Sequence, residues 1–317
     1  MTSNELTVPT VALGTWAWGD SGETADGYFG SRLDEAELRG ICAKAQSNGF
    51  TLWDTAVVYG MGHSESVLAQ ALAGHDRTDY QLSTKFTPQL AGDGEDAVAD
   101  MLEQSLERLQ THYVDLYWIH NPADVARWTP ALIPLLENGK VKHVGVSNHS
   151  LEQIAAADHI LREAGFRVEA VQNHFSLLYR SSERAGILEY CRERDVRFFS
   201  YMVLEQGALS GRYSPENPLP HGTNRATAYN ATLPQLQALT DRMAAIGADR
   251  GASAADIAIA WAIAKDTTPI IGVTKAAYVD GLGRACGIEL SMEEIAEMEA
   301  LADATGVDTR GWWEQPM

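Results

Sequence analysis

Four side chains in the first half of the chain could do chemistry together: Asp54, Tyr59, Lys85 and His120. A phenol with an ordinary pKa of about 10 is, at neutral pH, a proton donor that is hard to ionise. A nearby ammonium, Lys85, would stabilise the phenolate and lower that value, and Asp54 would hold Lys85 in an ion pair. His120 could orient a substrate oxygen or join a proton relay. The set makes a general acid aimed at an oxygen that gains negative charge. Each residue alone is equally well explained as a structural ion pair, a core ring or a surface group, so the combination carries the weight.

One alternation must position them. Short β-branched or aromatic runs at 10–16, 50–55, 80–85, 114–120, 143–147, 169–173, 197–201 and 269–272 are each followed by a helical pattern. Repeated βα units signal a parallel sheet. Asp34 with Glu37, Ser150 with Gln153 and Ser291 with Glu294 fit capping boxes, and Ser64 and Ser253 fit single N-caps. Residues 95–109 place Val98, Met101, Leu102, Ser105, Leu106 and Leu109 on one helical face. Eight such units over residues 1–317, undivided by any linker, predict a single-domain (β/α)8 barrel. An open dinucleotide-binding sheet is the competing architecture. Its nearest motif, Gly60-Met-Gly-His-Ser-Glu65, lacks the third glycine and follows the second strand, not the first. On a barrel the site lies at the C-terminal strand ends, where Asp54, Lys85 and His120 fall, with Tyr59 just beyond.

Asp54-Thr-Ala-Val-Val-Tyr59-Gly60, Ser83-Thr84-Lys85, Asp115-Leu-Tyr-Trp-Ile-His120-Asn-Pro and Val144-Gly-Val-Ser-Asn148 resemble the aldo-keto reductase family. The similarity runs from Gly14-Thr15-Trp16 to the eighth strand. It implies a TIM barrel that binds NADPH/NADP+, with NADH/NAD+ not excluded, and moves a hydride between cofactor and carbonyl carbon. It implies cofactor contacts from Gly14, Thr15, Trp16 and Asp54, carboxamide contacts from Ser147, Asn148 and Gln172, and ring stacking by Tyr201. Met202, Val203, Leu204, Gln206, Gly207, Ala208, Leu209, Ser210 and Gly211 match the segment that wraps the pyrophosphate, although Met202-Val203 replaces the usual Ser-Pro. Such a stretch is also an ordinary turn, and Asn148 also reads as a helix cap before Ser150. Ile271, Gly272, Val273, Thr274 and Lys275 sit where the family binds the 2′-phosphate. Tyr278 and Leu282 depart from the expected pattern there, and Lys275 reads equally as a surface lysine at a helix start.

Trp16 and Trp18 follow the first strand and are expected to overhang the rim; Tyr59, Trp118, His120 and Asn121 complete the expected substrate wall, with core burial the alternative for Trp53 and Trp118. The tail 307–317, with Trp312 and Trp313, is expected over the mouth. Residues 214–233, with three prolines, are longer than a normal βα connection and are expected to clasp the cofactor.

The 317 residues carry 24 Lys+Arg against 43 Asp+Glu, a formal charge of −19, which argues against nucleic acid or anionic lipid as partner. The partner expected is a small carbonyl or alcohol. Three cysteines, 42, 191 and 286, form no disulfide set, and the opening Met-Thr-Ser-Asn-Glu-Leu has no secretory pattern, so a cytoplasmic location is expected. No apolar run, 198–204 among them, comes near the length needed to span a bilayer. His143, His149 and the cysteines have no metal-ligand spacing, so no metal is expected. A carbonyl reductase is the leading function. A cofactor-sensing regulatory subunit is the alternative from another class.

Overall fold

The computed structural model describes residues 6–21, 29, 33–94, 96–311 and 313–314. The first five residues, Glu95, Trp312 and the last three residues, on which some of the above expectations bear, lie outside them. The eight strands are β1 (Ala12–Gly14), β2 (Leu52–Asp54), β3 (Gln81–Phe86), β4 (Val114–Ile119), β5 (Val141–Ser147), β6 (Ala170–His174), β7 (Arg197–Tyr201) and β8 (Thr268–Gly272). Each pairs in parallel with its neighbour in sequence, and β8 closes on β1 with Gly14 opposite Gly272. All eight expected strands are present. β1 is shorter than expected because the chain turns after Gly14 into a 3-10 helix, Trp16–Ser21, where Trp18 N–H donates to Thr15 C=O at 2.9 Å.

The side-chain period of two sorts the strands into two layers. Ala12, Leu52, Leu116, Trp118, Ala170 and Phe199 form one buried cluster inside the barrel. Their alternates, among them Leu13, Trp53, Leu82, Tyr117, Val144, Val171 and Phe198, pack between the strands and the surrounding helices. Gly145 of β5 makes room for the Trp118 indole, because a Cβ there would overlap the six-membered ring and lie 2.7 Å from Ala170 O. Trp118 thereby plugs the barrel. One step further along the same inward rows, the strands deliver Gly14, Asp54, Lys85, His120, Ser147, Gln172, His174, Tyr201 and Gly272 to the C-terminal rim.

The helices start where their caps require. Asp34, Ser150 and Ser291 each close a capping box, and Ser253 does so with Asp256 rather than acting as a single cap. Ser64 is not a cap. The helix His63–Leu72 is capped by Gly62 in the left-handed region, and the Ser64 hydroxyl lies 2.8 Å from both Thr15 O and Thr15 Oγ1, stapling the β1 and β2 loops. The amphipathic helix runs Ala97–Arg108 and buries the expected face, while Arg108 turns inward to Glu65 at 2.6 Å. No helix among the described residues is long and apolar enough to cross a membrane.

Candidate active site

The rim brings the four chemical residues together. Lys85 Nζ donates to Asp54 Oδ2 at 2.6 Å and Thr55 O at 2.8 Å, and lies 3.3 Å from the Tyr59 hydroxyl. Asp54 Oδ1 accepts from Ser83 Oγ at 2.8 Å and from Gln172 Nε2 at 3.1 Å. Trp118 Nε1 donates in turn to Ser83 Oγ at 2.6 Å, so the barrel plug anchors the carboxylate that anchors the lysine. Tyr59 stands on a turn after β2 that is pinned by a close approach of two glycines. A Cβ on Gly60, at φ +58, would meet Gly19 O at 2.7 Å, and one on Gly19 would meet Gly60 N at 2.8 Å. His120 follows β4 and its Nδ1 bonds Thr87 Oγ1 at 2.9 Å, while its ring stands edge-on to Tyr59 with centroids 6.3 Å apart.

The electrostatics correct the expectation for the phenol. Burial raises the Tyr59 pKa, and the Lys85 ammonium, which pulls it down, does not cancel that; the net shift is upward. Burial alone would lower Lys85, but Asp54 and Tyr59 hold its ammonium above the ordinary value. Burial and then the Lys85 charge push His120 well below its usual range, so its imidazole is neutral at physiological pH. The arrangement is a protonated phenol beside a permanent cation and a neutral imidazole. It can donate a proton to an oxygen and hold the charge left behind. Cys42 and Cys191 are buried, and burial pushes both thiols up to about 12; it also raises the partly buried Cys286.

Across the mouth, Ser147, Asn148, Gln172 and Tyr201 come together. Asn148, at φ +61, donates to His120 O at 2.9 Å and accepts from the Tyr201 hydroxyl at 2.6 Å. Asn148 is not the helix cap; Ser150 is. Gln172 turns its amide N–H inward to Asp54. A group not singled out from sequence lies behind Tyr201. His174 stacks on Tyr179 and on Tyr201, at centroid distances of 4.3 and 5.5 Å. Its Nε2 bonds Glu205 at 3.0 Å and its Nδ1 bonds Glu314 of the tail at 2.9 Å. Burial opposes its charge, yet the two carboxylates raise it to about 9.

The segment after β7 has an uncommon backbone. Met202, Glu205, Gln206, Gly207 and Gly211 all have positive φ, and within it the N–H groups of Glu205, Gly207 and Leu209 already donate to Met202 O and Leu204 O. Val203, Ala208 and Leu209 are buried, so they could serve a ligand only through their backbone. Residues 214–223 have no regular element, and a short helix, Asn224–Tyr229, follows them. Leu219, Ala226, Tyr229 and Leu233 pack on Ala208. This helix supplies a cation that sequence reasoning missed. Arg225 donates to Gln206 O at 3.4 Å, lies 3.9 Å from where a Gly207 Cβ would stand, and its Nε is buried without a partner among the described residues. At β8, Gly272 is open and Lys275 is the exposed N-cap residue of the helix Ala276–Cys286. Arg212 reaches the Tyr278 hydroxyl at 2.9 Å, so the departure at 278 brings a second cation to the β8 end.

Several pocket and cofactor residues are corrected. Trp18 is fully buried against Trp53, and its Nε1 donates to Val273 O at 2.8 Å. That contact also commits the Val273 carbonyl. Trp118 is the barrel plug, not a pocket wall. Thr15 is buried, with its hydroxyl committed to Asp54 O and Ser64. Ile271 and Leu282 face the core as well. Trp16 remains at the mouth, stacked on Tyr59 at 5.9 Å and met edge-on by Trp313 and Phe29 at 5.9 and 5.1 Å. Asn121 stays at the rim, its amide paired with Gln89 at 2.7 and 3.0 Å.

Known proteins share this design. The aldo/keto reductase family model matches residues 10–303. A chloroplastic pyridoxal reductase of Arabidopsis thaliana is 32% identical, covering 94% of this chain and 84% of its own length. An uncharacterized oxidoreductase of Mycobacterium tuberculosis is 31% identical over 94% of this chain and 89% of its own. Among solved structures, an aldo-keto reductase from Klebsiella pneumoniae in complex with NADPH superposes with TM-score 0.72 at 26% identity, covering 93% of this chain and 91% of that one. A glycerol dehydrogenase from Gluconobacter oxydans gives TM-score 0.75 at 25% identity, with 95% of each chain covered. The closed parallel barrel, the Asp54–Lys85–Tyr59 contact at its rim and a family match over nearly the whole length agree: the chain belongs to the aldo/keto reductase family.

Proposed function

We propose that the chain is an NADPH-dependent carbonyl reductase that works as one unit over its length, with Tyr59 as general acid. The observation that supports this best is Lys85 Nζ lying 2.6 Å from Asp54 and 3.3 Å from the Tyr59 hydroxyl at the mouth of the barrel. The nicotinamide dinucleotide, when bound, supplies the hydride to the carbonyl carbon. Tyr59 gives its proton to the carbonyl oxygen, and Lys85 holds the phenolate that remains. Asp54 keeps Lys85 charged and in place. Neutral His120, set by Thr87, orients the same oxygen without placing a second positive charge beside Lys85. In alcohol oxidation the same groups act in reverse, with the phenolate as base. Trp16 and Trp313 wall the site and exclude water, which strengthens each of these contacts.

For the cofactor, the donor set fits. Ser147 and Asn148 suit an amide, the ring of Tyr201 suits stacking, the positive-φ turn with Arg225 suits a pyrophosphate, and Lys275 with Arg212 suits a 2′-phosphate. The test is a turnover screen with NADPH and NADH, followed by nicotinamide absorbance, against aldehydes, ketones, sugars and steroids. Pyridoxal and glycerol are included because relatives are named for them. Turnover is expected with NADPH and is expected to weaken selectively for NADPH in Lys275→Ala and Arg212→Ala. Cofactor binding without turnover of any carbonyl would favour a regulatory role, and absence of binding would refute the proposal.

A further inference from the structure

Behind Tyr201 lie two carboxylates and one imidazolium, buried together. Glu205 Oε1 accepts from His174, Ser176 and Thr309, and its Oε2 accepts from Tyr229 at 2.7 Å. Glu314 is held differently. Its Oε1 takes His174 Nδ1 at 2.9 Å and lies 2.9 Å from the Tyr201 hydroxyl, whose one proton it shares with Asn148 Oδ1. Its Oε2 is buried with no hydrogen-bond partner among the described residues. Glu205 is therefore satisfied at both oxygens while Glu314 is not, and an uncompensated buried charge is costly. The three groups sum to one negative charge, and Glu314, the least compensated, touches Tyr201.

We propose that Glu314 makes this site discriminate between the two oxidation states of its cofactor, favouring the oxidised nicotinamide. This rests on Tyr201 being the nicotinamide platform, as the proposed function holds. The oxidised ring carries a positive charge and the reduced ring is neutral, while the phosphates, riboses and adenine are common to both. A negative charge against the platform attracts only the oxidised form. Whatever else the tail contributes, in closure or packing, acts on both forms alike. The consequence is a bound couple whose reduced form is the stronger hydride donor, so that the equilibrium on the protein shifts toward carbonyl reduction relative to the same barrel without the tail carboxylate.

The test uses the full-length chain and no substrate. Dissociation constants for NADPH and NADP+ are measured by quenching of tryptophan fluorescence in the wild type, Glu314→Gln and Glu314→Asp. Removing one partly screened charge is expected to shift the ratio of the two constants against NADP+ by about tenfold, equivalent to ~1.4 kcal/mol. Glu314→Asp keeps the charge, so its ratio is expected to stay near the wild-type value even where both affinities fall. The wild type alone gives a second readout. As pH rises through about 9 the His174 imidazolium is lost between Glu205 and Glu314, with only the neutral phenols of Tyr179 and Tyr201 stacked on it, and preference for NADP+ is expected to increase. A ratio unchanged in Glu314→Gln, or a pH-independent wild-type ratio, overturns the proposal. Absence of saturable binding of either form by the wild type would instead refute the cofactor assignment beneath it.

Discussion

Replacing Lys85 by Met separates what this ion pair does for the fold from what it does for chemistry. The Lys85 side chain is fully buried and that of Asp54 is 5% exposed. Removing one member of a buried pair commonly costs about 3–5 kcal/mol, because the other charge is left uncompensated. Asp54 would keep its bonds from Ser83 and Gln172, so the expected loss is near the lower end, ~3 kcal/mol by denaturant unfolding. Adding Asp54→Asn removes the stranded charge, and the double variant is expected to recover to within about 1–2 kcal/mol of the wild type. Activity should not follow. A unit charge 3.3 Å from the phenolate oxygen contributes about 5 kcal/mol at an effective dielectric near 20. The opposed Asp54 charge offsets part of it, leaving ~3 kcal/mol, or roughly a hundredfold in kcat/KM for carbonyl reduction. Both the single and the double variant should be slowed by at least that factor. A double variant that regains turnover together with stability would refute the placement of Lys85 as the group that holds the phenolate.

Two further outcomes follow from the same structure. His174 has its folded-state pKa raised to about 9, above the ordinary histidine value, so it stabilises the fold fully below about pH 6.5 and loses that contribution as pH rises through 9. The contribution is about 3 kcal/mol, and the melting-temperature difference between wild type and His174→Gln should shrink between pH 6.5 and 10; a constant difference would contradict it. Gly145→Ala should destabilise by about 3 kcal/mol or more, because its methyl would overlap Trp118 against the Ala170 carbonyl; a near-neutral effect on unfolding would show that the plug is not tightly packed.

Much of this site follows from the period of two along each strand. Asp54, Lys85, His120, Gln172 and Tyr201 all lie on inward rows that the strand pattern locates, which is why the barrel and its four-residue cluster were legible before any coordinates. The same row places His174 two residues after Gln172, and parity alone would have drawn attention to it. What parity could not show is its charge, since Glu205 and Glu314 come from a turn and a tail far away in sequence. Trp18 and Trp118 were misplaced for related reasons. Trp18 lies on a 3-10 turn that packs its ring on Trp53 and ties its N–H to Val273 O, and Trp118 lies one step too deep on β4, over a glycine on the next strand. Tyr59 rising in pKa rather than falling also depends on burial, which residue type and spacing do not specify. Arg225 is hidden in the sequence because residues 214–233, with three prolines and the length of a long connection, contain a short helix that turns it toward Gly207.

The central claim is that Tyr59 donates the proton, and Tyr59→Phe tests it most directly. The ring, its stack on Trp16 and its edge contact with His120 are kept, and only the hydroxyl beside Lys85 is removed. NADPH binding, read by tryptophan fluorescence, should stay within about twofold of the wild type, while carbonyl reduction under saturating cofactor should fall by about 10²–10⁴, the range for loss of a general acid. Retained turnover in a variant that binds cofactor normally would contradict the account.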